Sequence, residues 1–164
     1  MTAHRIAGVA LATALAGLAT SANAQLLTHK DLSVAMATQI AQTAIQTCKS
    51  QGYSVSVNVL GREGQVVVAV RGDGAGLATM ENSMKKAYTA RTFRQPSGRF
   101  ADNVKGNPIA GALFLTNVVP AQGALPIMVG EDVIGAVGVS GAPGGDKDEA
   151  CAKAGIDKVS AELK

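Results

Sequence analysis

Apolar residues along this chain repeat with two different periods, and the changes of period mark its elements. From Thr28 to about Ser50, Ala37, Ala41, Ala44, Ile45 and Cys48 fall on one stripe at helical spacing. Thr28 with Asp31 three residues on predicts the start of that helix, and Gly52 sits where a C-terminal glycine belongs. Val55, Val57 and Val59 then alternate with Ser56 and Asn58, a period of two that predicts a half-buried strand. Gly61-Arg62-Glu63-Gly64 is turn chemistry, and Gln65 to Val70 is a second β-branched run, so the two runs predict an antiparallel hairpin.

After the glycine-rich stretch Arg71 to Gly76, Met80, Met84, Ala87, Tyr88 and Arg91 return to helical spacing until Pro96. Ser97 to Asn103 predicts one or two further helical turns, and Gly106-Asn107-Pro108 a loop. Phe114 to Val119 is strand-like, ended by Pro120. Leu125–Val129 and Val133–Ser140 flank Gly130-Glu131-Asp132 and predict a second hairpin. Gly135, Gly138, Gly141 and Gly144 recur every third residue, which weakens a strand unless something packs close to its backbone. Asp146 to about Leu163 predicts a last helix with acidic residues at its positive end. The expected order is α-β-β-α-(α)-β-β-β-α, in one domain.

The first 24 residues are set apart from this pattern. His4 and Arg5 precede the Ala/Leu-rich run Ile6–Ala19, and Ala22-Asn23-Ala24 offers small residues for cleavage. This predicts a cleavable signal peptide over 1–24, a mature domain over 25–164, and a periplasmic or secreted location. The run is too short for a comfortable membrane span, so no stable membrane insertion is expected after cleavage. Loss of Arg5 lowers the formal charge from +3 to +2, which weakens the case for a polyanion partner. Aromatic residues make up 3% of the chain and Trp is absent, so a base-stacking surface for nucleic acid is not expected.

Export also changes what Cys48 and Cys151 imply. In an oxidising compartment they form either a disulfide, closing a loop of about 100 residues worth about 4 kcal/mol, or two buried thiols. With His29 as the one mature histidine, they do not complete a Cys/His zinc site. Gly138-Val139-Ser140-Gly141-Ala142 approaches a nucleophile elbow but lacks the last glycine and a following histidine, which argues against a serine hydrolase. Lys85, Lys86, Arg91, Arg94, Arg99 and Lys105 fall within 21 residues opposed only by Asp102. They are either an anion-gripping surface or a solvated basic face over an ordinary core.

Taken in order, several segments resemble the GlcG/HbpS-like family, also called the haem-degrading domain family. They are Arg71 with Asp73-Gly74-Ala75, Lys86-Ala87-Tyr88-Thr89-Ala90, Gly123-Ala124-Leu125-Pro126-Ile127, Val133 to Gly141, and Asp148 to Gly155. The resemblance spans about Leu27 to Leu163. It implies an α/β (α+β) sandwich similar to profilin and PAS-like domains, with five antiparallel strands and the first and last helices on one face. That arrangement brings Cys48 and Cys151 together. It further implies a homo-oligomer and a haem ligand, for sensing, transport or slow degradation. Two departures stand out. Leu60-Gly61-Arg62 lies where the family usually has an Asp, and Gly123-Ala124 lies where it has two glycines. A Glu-x-x-Glu pair is absent.

On this reading Lys86, Arg91 or Arg94 meets the haem propionates, and Tyr88, Thr89 or Ser97 supplies a hydroxyl. His29 or a methionine (Met36, Met80, Met84 or Met128) is the candidate iron ligand, although a histidine so near the mature start reads first as an idle, exposed one. The alternative is a small anionic metabolite, with Asp73 and the loop 71–76 lining its pocket.

Overall fold

The computed structural model describes residues 25–107 and 110–164. The expected signal peptide over 1–24 and Pro108 of the expected loop lie outside the described residues. The elements are α1 (Val34–Ser50), β1 (Ser56–Leu60), β2 (Val66–Arg71), α2 (Thr79–Phe93), α3 (Ser97–Lys105), β3 (Ala124–Val129), β4 (Asp132–Ser140) and α4 (Gly145–Val159). The strands form one antiparallel sheet in the order β2-β1-β4-β3. Helices α1 and α4 cover one face and α2 covers the other.

Two expectations are corrected. Among the described residues the sheet has four strands, not five: Gly111–Phe114 is a turn of 3-10 helix, and no strand follows it before Ala124. The free edge of β4 is taken by β3. The segment before β3 is held by a side chain instead, Thr89 Oγ1 accepting from the Val119 N–H at 2.9 Å. Phe114, 76% exposed, buries too little to seat a strand there. The first helix also begins later than Thr28. Ser33 caps it, accepting from Met36 N–H at 3.2 Å, while Asp31 accepts from the backbone N–H of Leu32 and of Arg62.

The C-terminal end of α1 follows the sequence closely. Gly52 adopts φ +82, with its N–H on Lys49 and the Tyr53 N–H on Cys48, which satisfies the last carbonyls. The alanine stripe then lies against α4, where Cys48 and Cys151 are joined in a disulfide with Cα atoms 5.7 Å apart. Gly155 makes that approach possible, since a Cβ there would lie 2.6 Å from the Ile40 carbonyl.

Strand β1 is buried on both faces, not on one. Val57 and Val59 join the core under α1 and α4. The polar positions between them lie beneath α2 and are satisfied there: Ser56 Oγ lies 2.8 Å from Thr79 Oγ1, and Asn58 Nδ2 donates to Ser83 Oγ at 2.7 Å and the Met80 carbonyl at 3.0 Å. Helix α2 sits this low because of Gly138, whose Cβ would fall 2.1 Å from the Ser83 carbonyl. The close backbone packing expected of the glycine-spaced strand is present at this residue.

Candidate functional site

The residues proposed from sequence as ligand contacts do not converge. Lys86 is 4% exposed, and its Nζ donates to Asp148 Oδ2 at 2.8 Å and to the Val139 carbonyl at 3.1 Å. Asp148 Oδ1 accepts from the Ala142 N–H at 3.0 Å. Burial pushes the Asp148 carboxyl up, against the pull of Lys86 and Ala142. Gly123 lines this passage, since a Cβ there would lie 2.7 Å from Lys86 Nζ. The Lys86 cation is therefore spent inside the protein.

Thr89 and Ser97 are buried as well. Thr89 holds the segment before β3, and Ser97 Oγ accepts from the Ala124 N–H at 3.0 Å, fixing α3 to the start of β3. Tyr88 is half-buried against Gly64. Asp73 is exposed, 3.9 Å from Lys49 Nζ, and His29 is exposed on the extended segment before α1.

Arg91 and Arg94 lie near the turn between β3 and β4. Arg62 pairs with Asp132, and its hydrogen bond holds the Asp132 carboxyl below the usual range, with Arg94 and Arg91 adding to the effect. Arg94 Nη2 donates to the Glu131 carbonyl at 3.3 Å. Asp31 and Glu63 also face Arg62, so the positive charge gathered here is already balanced by carboxylates.

A cleft lies elsewhere, where α4 passes the outer edge of β3. It has a volume of about 560 Å³, with Leu125, Pro126, Ala150 and Ile156 as its apolar wall. Asp146, Lys153 and Asp157 stand at its rim, the last two paired at 2.6 Å. A second hollow of about 470 Å³ lies against α3, lined by Arg99, Asp102, Lys105 and Gln122. Pro96 and Glu149 line both, so the two spaces meet over Glu149. Lys105 is paired with Asp102 at 2.6 Å, whereas Arg99 makes no ion pair among the described residues.

Glu149 is the chemically unusual group at this junction. Its Oε2 is buried with no hydrogen-bond partner among the described residues, and the Gln122 side chain lies beside the carboxyl. Burial pushes its carboxyl above the usual range, and Gln122 only partly offsets this. Gln122 is set in place by two glycines: a Cβ on Gly98 would lie 2.8 Å from its Cγ, and one on Gly145 would lie 2.7 Å from its Cβ.

Sequence reasoning singled out Arg99 and Lys105 only as part of a basic run, and Glu149 as a favourable charge at a helix start and as part of the segment Asp148 to Gly155, never as a site residue. Gly98 and Gly145 are the one signal that something packs against both helices. Among the described residues no group of three His, Cys, Asp or Glu side chains is placed to hold a metal ion. No described helix is long and apolar enough to cross a membrane.

The fold is that of a small α+β domain with a shallow cleft at one sheet edge. The chain belongs to the family described as haem degrading protein HbpS-like, whose model matches residues 32–157. A crystal structure of HbpS is similar at 32% identity over 81% of this chain and 93% of that one, with a TM-score of 0.77. A double mutant of the Streptomyces reticuli HbpS is 28% identical over 96% of this chain and 97% of that one, with a TM-score of 0.76. An uncharacterised 15.0 kDa protein of Citrobacter freundii is 33% identical over 67% of this chain and 80% of its own length.

Proposed function

We propose that this chain is an exported haem-binding protein that receives the macrocycle in the cleft between α4 and the β3 edge. Membership in a family described as haem degrading carries the reading. The local chemistry supports it. The cleft of about 560 Å³ is within the usual range for small-molecule sites and is walled by Leu125, Pro126 and Ile156. Arg99, which makes no ion pair among the described residues, offers a bidentate partner for a propionate in the adjoining hollow. Haem held there would bring a redox-active iron.

Neither hollow is lined by His, Cys, Met or Tyr. Affinity then comes from burying the macrocycle and pairing its propionates rather than from strong axial ligation, which suits transport, sensing or slow degradation. Titrating the purified protein with haemin, followed at the Soret band, tests this. A saturable shift at micromolar haemin is expected, weakened by Arg99→Ala. No shift, with the protein folded, overturns it.

A second reading is a site for a small anionic metabolite without iron. The lack of an iron-ligating side chain in the lining favours it, together with the free Arg99. A thermal-shift screen of organic acids distinguishes the two: stabilisation by haemin alone argues against the metabolite.

A further inference from the structure

The buried, unpartnered oxygen of Glu149 says more about what enters this cleft. Glu149 lines both the apolar cleft and the Arg99 hollow, and its buried Oε2 finds no hydrogen-bond partner among the described residues. A buried polar atom without a partner is costly, and such atoms are usually met by a ligand or a water.

We propose that Glu149 acts as a neutral carboxylic acid whose carboxyl donates to an acceptor on an amphipathic anionic ligand, whose acidic group lies on Arg99 and whose apolar body lies on Leu125, Pro126 and Ile156. The proposal rests on the cleft being the ligand site, but not on the ligand being haem.

The charges around Glu149 make its protonation state decisive. From α4, Asp146, Lys153 and Asp157 face the cleft. From α3, Arg99, Asp102 and Lys105 do so. Two pairs, Lys153 with Asp157 and Lys105 with Asp102, neutralise one another. The lining supplied by β3, Leu125 and Pro126, and the preceding Pro120 and Gln122 carry no charge. Arg99 and Asp146 remain, and they balance. Ionised Glu149 would leave the cleft net negative at the point an anion must pass, whereas neutral Glu149 leaves it balanced and supplies a donor. Burial already moves the Glu149 carboxyl in the direction this requires. Bringing an anion close favours the proton further, so the ligand and the proton bind cooperatively.

An anilinonaphthalene sulfonate dye is a suitable probe, because it is apolar and its sulfonate stays ionised from pH 5 to pH 8. It would be titrated into the purified protein at fixed ionic strength, with heat-denaturation midpoints confirming folding at each pH. If binding raises the Glu149 pKa by one unit, affinity at pH 8 is weaker than at pH 5 by up to about tenfold.

Glu149→Gln keeps a donor and cannot ionise. It is expected to bind without pH dependence, and more tightly than the parent at pH 8. Glu149→Ala is expected to be equally flat but weaker than Glu149→Gln, and Arg99→Ala to weaken binding at every pH. Retention of the parental pH slope in Glu149→Gln overturns the proposal. So does unchanged affinity in Arg99→Ala, or failure of the dye to bind the parent at any pH. A haemin titration beside it separates the two readings. If haemin leaves the Soret band unmoved while the dye slope vanishes in Glu149→Gln, the haem reading fails and this one stands. If haemin binds but the slope persists in that variant, this one fails alone.

Discussion

Lys86 Nζ donates to Asp148 Oδ2 at 2.8 Å, joining two helices that cover opposite faces of the sheet. The contact passes at the end of the sheet, over the open side of Gly123, and both side chains are about 5% exposed or less. Removing one partner strands the other charge in a place water does not reach. Lys86→Met should therefore destabilise the protein by about 3–5 kcal/mol. Guanidinium unfolding at neutral pH checks this. A cycle with Asp148→Asn should show the second change costing much less once the first is made. Additive losses would show that the two do not act as a unit.

Glu149 predicts an opposite trend, because its carboxyl is shifted up in the folded state. The folded protein then holds the proton more tightly than the unfolded chain. Stability from this group is full below the unfolded value, about 4.3, and is lost as pH rises through the higher folded value. Glu149→Gln removes that loss. The variant should melt higher than the parent at pH 7, and the difference should close towards pH 4. A variant that melts lower at pH 7 would contradict the assigned direction.

The Cys48–Cys151 bond closes a sequence separation of 103 residues between two fully buried positions. The chain-entropy estimate for such a loop is about 4–5 kcal/mol. The Cys48→Ala, Cys151→Ala protein should lose roughly that much in denaturant midpoint and slope analysis. A loss below about 1 kcal/mol would mean that the packing of α1 on α4 carries the joint without it.

Gly138 is a packing requirement rather than a turn. Its missing Cβ would lie 2.1 Å from the Ser83 carbonyl and 2.8 Å from the Ala87 nitrogen, both on the backbone of α2. Gly138→Ala has to lift α2 off the sheet and strain the Asn58 hydrogen bonds below it. A cost of about 1–3 kcal/mol or more is expected, read as a fall in melting temperature. Gly130→Ala has open space at its Cβ, so any loss there comes from its positive φ alone. It should be the milder change.

Much of the fold was legible because it depends on local periodicity. The stripe of Ala37, Ala41 and Ala44, the Gly52 cap and the two hairpin turns each carry their own signal within a few residues. The strand expected over Phe114–Val119 did not form because Val119 is tied to the Thr89 side chain of α2 rather than to a strand, a contact that no residue within that segment announces. The site was less legible still. Lys86 resembles its neighbour Lys85 in sequence, yet Lys85 pairs at the surface with Glu81 while Lys86 is buried.

The sequence by itself determined the helices and hairpins, the family, and the close approach of something to the glycine-spaced strand. Those features follow from side-chain period, turn chemistry and the absence of a Cβ, which are properties of short segments. Tertiary structure alone decided that the polar face of β1 is buried, that Lys86 is spent on Asp148, and that Glu149, its Oε2 without a partner among the described residues, stands between an apolar wall and Arg99. Each depends on which surfaces the layers bring together. The same carboxylate is solvated on one helix face and desolvated on another, and burial against distant residues makes that difference.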